Sequence, residues 1–168
     1  MTEKQKMLMG ILYNAEDQAL IEERNHAKSL TRQFNEHWED KGRRNYLIGQ
    51  IFGSLGKNVH LEAPIYLDYG YRTTIGSDFF SNFNLTILDG GGVEIGNHVF
   101  IGPNVGIYTA NHPADVKRRE KGYEWALPVK IGPLVVAAED AVGSRDLIVA
   151  QRMQLRHEVA RHVVARLR

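Results

Sequence analysis

The chain contains no cysteine. That excludes disulfides, thiolate metal sites and a cysteine nucleophile together. It carries almost no net charge, +1 at pH 7 from 21 basic and 20 acidic side chains. A general electrostatic attraction to nucleic acid or to an anionic membrane is therefore not expected. Long apolar runs are also missing. Met1-Thr2-Glu3-Lys4-Gln5-Lys6 leads into none, so neither a signal peptide nor a transmembrane segment is expected, and the cytoplasm is the default compartment. Hydrophobic residues are not scarce. They make up 43% of 168 residues, enough for one domain with a real core and a small appendage.

What the sequence does have is a six-residue rhythm. Ile95-Gly96-Asn97-His98-Val99-Phe100 is followed by Ile101-Gly102-Pro103-Asn104-Val105-Gly106. An aliphatic residue and a Gly recur after six residues, with Val four places further on in both units. Ile75-Gly76 and Ile131-Gly132 repeat the same pair at a distance. A helix has no use for this period, whereas a solenoid does. One short strand and a turn per hexad, three hexads to a coil, would close a triangular tube. The aliphatic residue would face inward, and Gly would stand where a Cβ would collide.

Before the rhythm, residues 3 to about 56 read as helical. Asp17 caps a segment with Leu20, Arg24, Ala27, Leu30/Thr31 and Phe34 on one stripe. The polar stretch from Asn35 to Arg44, with Gly42, reads as a break. A third helix carries Leu47, Ile48, Ile51, Phe52 and Leu55, and Gly56 ends it. These stripes read as packing surface that closes one end of the solenoid. From Val59 the pattern becomes strand-like. Asp115 to Glu124 reads as a loop thrown out of the coil, and Trp125, Leu127 and Pro128 bring the chain back. After Gly132 the hexads fade. From Ser144 onward the sequence is rich in Arg, with a helical stripe through Leu147, Ile148, Met153, Leu155, Val159, Val163 and Leu167. A helical cap and a shifted reading frame both account for it.

Two places can carry chemistry. His112 lies where a coil ends and a loop begins, and imidazole moves protons near neutral pH. A surface histidine without a role reads equally well from the residues alone. In Ser81-Asn82-Phe83-Asn84-Leu85-Thr86-Ile87-Leu88-Asp89, polar groups interrupt a strand. Asn82 can donate to an oxyanion and Asp89 can accept from hydroxyls, or the asparagines form a ladder along a corner. A metal-dependent hydratase would need three converging imidazoles; only His112 is suitably placed, and neither His60 nor His98 has the spacing, so no metal is expected.

Several stretches resemble one family in order. They are Glu3-Lys4-Gln5-Lys6-Met7 with Leu12-Tyr13-Asn14-Ala15, Asp68-Tyr69-Gly70-Tyr71, Asn82-Phe83-Asn84 with Leu88-Asp89, Ile107 through Pro113, and Pro128-Val129-Lys130-Ile131-Gly132. Over residues 3 to 132 the chain resembles the maltose and galactoside O-acetyltransferases, the sugar branch of the hexapeptide-repeat acyltransferases. The resemblance implies a mainly β protein: a left-handed parallel β-helix over 58–142 with a loop at 110–127. An N-terminal helical segment at 1–57 precedes it, and an atypical C-terminal tail at 143–168, read as helical, follows. It implies a homotrimer with sites between subunits, and acetyl transfer from acetyl-CoA to a sugar hydroxyl without an acyl-enzyme. His112 matches the base and Asn82 the residue that stabilises the transition state and touches substrate. Asp68 and Asp89 match acceptor positions. Glu124 is a candidate to steady His112 or the acceptor. Gly90 stands where galactoside enzymes have a second carboxylate, which favours a maltose- or glucose-like acceptor. The family's later coils, which form much of the acetyl-CoA groove, have no counterpart after residue 132. Arg145, Arg152 and Arg156 are candidates for the coenzyme phosphates there. The missing coils keep open a non-catalytic β-helix protein as the alternative.

Overall fold

The computed structural model describes residues 1–37 and 39–137. The tail, with the candidates Arg145, Arg152 and Arg156, lies outside the described residues. The chain begins with α1 (Glu3–Leu8), a short β1 (Tyr13–Asn14), α2 (Gln18–Glu36) and α3 (Lys41–Ile51). Thr2, Asp17 and Asp40 cap the three helices, each side chain accepting a backbone N–H of the first turn. Gly42 lies inside α3 rather than in a break. Leu55 is not helical either: α3 stops at Ile51, and Ser54–Leu55 forms β2, the first strand of the solenoid.

The coil then runs through β3 (Val59–Leu61), β4 (Ile65–Leu67), β5 (Thr73–Ile75), β6 (Phe79–Ser81), β7 (Leu85–Leu88), β8 (Val93–Ile95), β9 (Phe100–Ile101) and β10 (Gly106–Tyr108). An excursion follows, made of β11 (Ala110–Asn111), α4 (Val116–Glu120) and β12 (Tyr123–Ala126). The coil resumes at β13 (Val129–Ile131) and β14 (Val136–Ala137). The strands stack in parallel on three faces: β2-β5-β8-β13, β3-β6-β9-β14 and β4-β7-β10.

The three faces are not joined evenly. Inward residues step from Leu55 to Leu61 to Leu67, six apart, and then to Ile75, eight apart. The corner between the third face and the next coil is thus two residues longer than a uniform hexad repeat allows. The first corner is the tight one. A Cβ on Gly56 would stand 2.4 Å from the Ser77 nitrogen, and one on Gly76 would stand 2.6 Å from Gly96. Asn58, Asp78 and His98 follow with positive φ, as do Asn84 and Asn104 at the second corner. Asn and Asp are among the few non-glycine residues that accept this backbone.

Ile75, Ile87, Ile95, Ile101 and Ile107 fill the tube and are nearly or fully buried. Each is worth about 1.5–3 kcal/mol of transfer free energy. Phe34, Leu47, Ile48, Ile51 and Phe52 join the same core from the helices. Asn35 completes the closure: its side-chain amide donates to Ile65 O and accepts from Ile65 N, both at 2.9 Å. One side chain thus satisfies backbone groups at the end of the third face. Among the described residues no helix is long and apolar enough to cross a membrane.

Candidate active site

The longer third corner gathers most of the candidate residues. Asp68 follows β4, Asp89 follows β7, and the excursion after β10 carries His112 and Glu124. Asn82 does not join them. It sits between β6 and β7, at the second corner, where its Oδ1 accepts the Phe83 N–H at 2.8 Å. Its neighbour Asn84 donates to Asn104 across one coil at 2.9 Å, a rung of the expected corner ladder.

The excursion is more ordered than a polar loop. Asp115 caps α4, and β12 returns antiparallel to β11, with Ala110 opposite Ala126 and Asn111 opposite Trp125. The other edge of β12 pairs with β1 of the N-terminal segment, Tyr13 opposite Glu124 and Asn14 opposite Tyr123. Underneath lies a second apolar cluster of Met7, Tyr13, Leu20, Tyr69 and Ala126.

His112 is exposed, 61% of its side chain, with Nδ1 3.8 Å from Glu124 Oε2. The Glu124 side chain is only 16% exposed, and its other oxygen accepts the Tyr13 hydroxyl. A carboxylate beside Nδ1 favours the tautomer with its proton there and leaves Nε2 free to accept one.

Asp68 is partly buried, and that burial pushes its carboxyl above the usual carboxylate range. Lys28 and Arg24 oppose the shift, while Asp89 and Glu124 add to it. Asp89 occupies a different place from the substrate contact expected of it. It is fully buried, and its two oxygens accept Tyr69 N at 2.8 Å and the Thr73 hydroxyl at 3.0 Å. Its carboxylate folds the chain just after Asp68 and is pushed up by burial. Gly90 is buried against Tyr13, Met7 and Ala126.

Arg24, on the stripe of α2, reaches the same corner. Its guanidinium donates to Tyr69 Oη at 2.9 Å and to Ala15 O at 2.7 Å. Burial pushes the Tyr69 phenol up to about 12, although Arg24 pulls it down. The signal for Arg24 was present: a cation on a stripe between Leu20 and Ala27 needs a buried partner. Among the described residues no group of three His, Asp or Glu side chains is placed to hold a metal ion.

Comparison with known proteins agrees with this architecture. Residues 6–56 match the maltose acetyltransferase hexapeptide capping motif. The crystal structure of a maltose O-acetyltransferase from Clostridium difficile 630 superposes with a TM-score of 0.74 at 43% identity, over 82% of this chain and 78% of that one. A galactoside acetyltransferase in complex with coenzyme A gives 0.73 at 33% identity, over 81% and 74%. The galactoside O-acetyltransferase of Escherichia coli K12 is 36% identical over 129 residues, which span 76% of this chain and 64% of that relative. A left-handed parallel β-helix, capped by helices and interrupted at its third corner, places this chain in the maltose/galactoside O-acetyltransferase family of hexapeptide-repeat acyltransferases.

Proposed function

We propose that the chain transfers an acetyl group from acetyl-CoA to a hydroxyl of a maltose- or glucose-like sugar, with His112 as the base. The observation that carries this reading is the carboxylate of Glu124 behind Nδ1 of an otherwise exposed imidazole. His112 Nε2 takes the hydroxyl proton as the sugar oxygen bonds to the thioester carbonyl carbon. The C–S bond then breaks, and the proton passes to the departing sulfur. A positioned base of this kind contributes about 10²–10⁴-fold. Asp68 is the acceptor-side group at the same corner, and Asp89 supports it from beneath. The tie between the chain and acetyl-CoA is its family membership, together with the coenzyme A bound by the galactoside acetyltransferase.

Asn82 lies on a different corner from His112, so one copy does not unite them. A homotrimer with sites between subunits resolves this, with Asn82 of one copy stabilising charge near His112 of the next. The surface around Asn82 supports the reading. Phe83, Tyr66 and Phe100 are about half exposed, at 48%, 50% and 52%, on the two faces that meet there. The test is acetylation of maltose, glucose and a galactoside by acetyl-CoA, with the assembly followed by sedimentation. Turnover on maltose or glucose is expected. An intact trimer that acetylates no sugar would overturn the proposal.

One observation favours a second reading, a non-catalytic β-helix protein: the hexads fade after Gly132. Calorimetry with coenzyme A separates the two, since tight binding excludes the non-catalytic reading.

A further inference from the structure

We infer that Tyr13 is a positioning residue of the proposed acetyl transfer, acting through Glu124 on His112. The capping segment is then part of the active site rather than only a lid on the solenoid. The inference rests on His112 being the base.

Strand register brings the three side chains together. In the sheet β1-β12-β11, β12 is the central strand. Tyr13 is directly opposite Glu124 on one side. On the other side Ala110 opposes Ala126 and Asn111 opposes Trp125, so the next residue, His112, falls opposite Glu124. Directly opposed residues of an antiparallel pair share a face. Tyr13, Glu124 and His112 therefore form one row across the sheet, although 111 residues separate the first two.

The row has a direction. Tyr13 is fully buried, and its hydroxyl is the only polar atom its side chain brings there. Packing against Met7, Leu20, Tyr69 and Ala126 would be served as well by a phenylalanine ring. Burial first, and Glu124 next, push the phenol far above its usual range, so it keeps its proton and donates a hydrogen bond to Glu124. That contact occupies one carboxylate oxygen and turns the other toward His112 Nδ1.

The donor is itself held in place. Asn14 N–H donates to Glu3 Oε2 at 2.6 Å, and Ala15 N–H donates to Gly122 O at 2.8 Å. Arg24 grips Ala15 O from α2. A glutamate fixed from behind loses the rotamer freedom that would otherwise carry it away from the ring. Without the hydroxyl, a mostly buried oxygen lacks its donor and turns to another, and negative charge leaves Nδ1.

The test compares Y13F, E124A and the double variant, each with a melting curve and ¹⁵N NMR of the His112 ring, which reads which nitrogen carries the proton. E124A removes the carboxylate beside Nδ1 and is expected to shift the ring away from the tautomer protonated there. Y13F is expected to shift it in the same direction. It should also reduce kcat by about tenfold or more, a part of what the base supplies, with KM for acetyl-CoA changed by less than about twofold. In the E124A background, Y13F should add less than about twofold. Equal losses of kcat in both backgrounds, or a lowered melting point with an unmoved His112 tautomer, would overturn the inference. If the wild-type protein acetylates nothing, the tautomer measurement still decides whether Tyr13 acts on His112, so the two readings fail separately.

Discussion

The parallel coils and the antiparallel ribbon solve opposite problems. In the coils every residue repeats the environment of one a coil away, as Ser54, Thr74, Glu94 and Lys130 do in successive strands. The ribbon β1-β12-β11 joins the beginning of the chain to a stretch more than a hundred residues later and repeats nothing. Repetition stacks like positions in register; a unique junction puts unlike groups side by side. Tyr13, Glu124 and His112 meet only because one corner leaves the repeat. Stability and chemistry should therefore respond to different substitutions.

The sharpest separation is expected from His112→Ala. Acetyl transfer should fall by about 10²–10⁴-fold. The exposed ring should cost less than about 0.5 kcal/mol of stability by denaturant melting. Gly76→Ala should do the reverse. Its Cβ would stand 2.6 Å from the Gly96 backbone, so the coils must separate, at a cost of about 1–3 kcal/mol in the same assay.

Asp68→Asn crosses the boundary between the two regions. Burial raises the Asp68 pKa, so the folded state holds the proton more tightly than the unfolded state does. Wild-type stability from this group is full below the ordinary aspartate value of 3.8 and is lost as pH rises through the raised folded value. The amide removes that slope. It should stabilise the protein at neutral pH by about 0.5–1 kcal/mol, at the low end because the group is only partly buried, while weakening acceptor turnover. Urea melts between pH 4 and 7 show the first effect, and KM for the sugar shows the second. The smallest effect belongs to Gly49→Ala. This glycine is exposed in α3 with nothing near its Cβ, and the change should stabilise by about 0.5–1 kcal/mol without altering activity.

How much was legible in the sequence follows the same division. Ile75-Gly76 and Ile95-Gly96 announced the coil because each obeys a local rule of burial and close approach. The extra length of the third corner was not audible in six-residue units, and Gly56 was mistaken for a helix end because a corner glycine and a C-cap look alike. His112 and Glu124 could be nominated singly. Their alignment with Tyr13 could not, because antiparallel pairing between distant segments leaves no periodic trace. Asp89 was read as a hydroxyl acceptor, which it is, but its hydroxyl is that of Thr73.

The two ends of the excursion meet across a single corner. Glu94 pairs with Lys130 in the same register in which Thr74 pairs with Glu94, though the first step spans 36 residues and the second 20. Growth or shortening at the tip, around α4, can thus change what hangs over the third corner without disturbing the tube. One residue added inside a strand such as β6 has no such freedom, because it would turn inward-facing side chains out to water. The scaffold tolerates revision of its reach and forbids revision of its pitch.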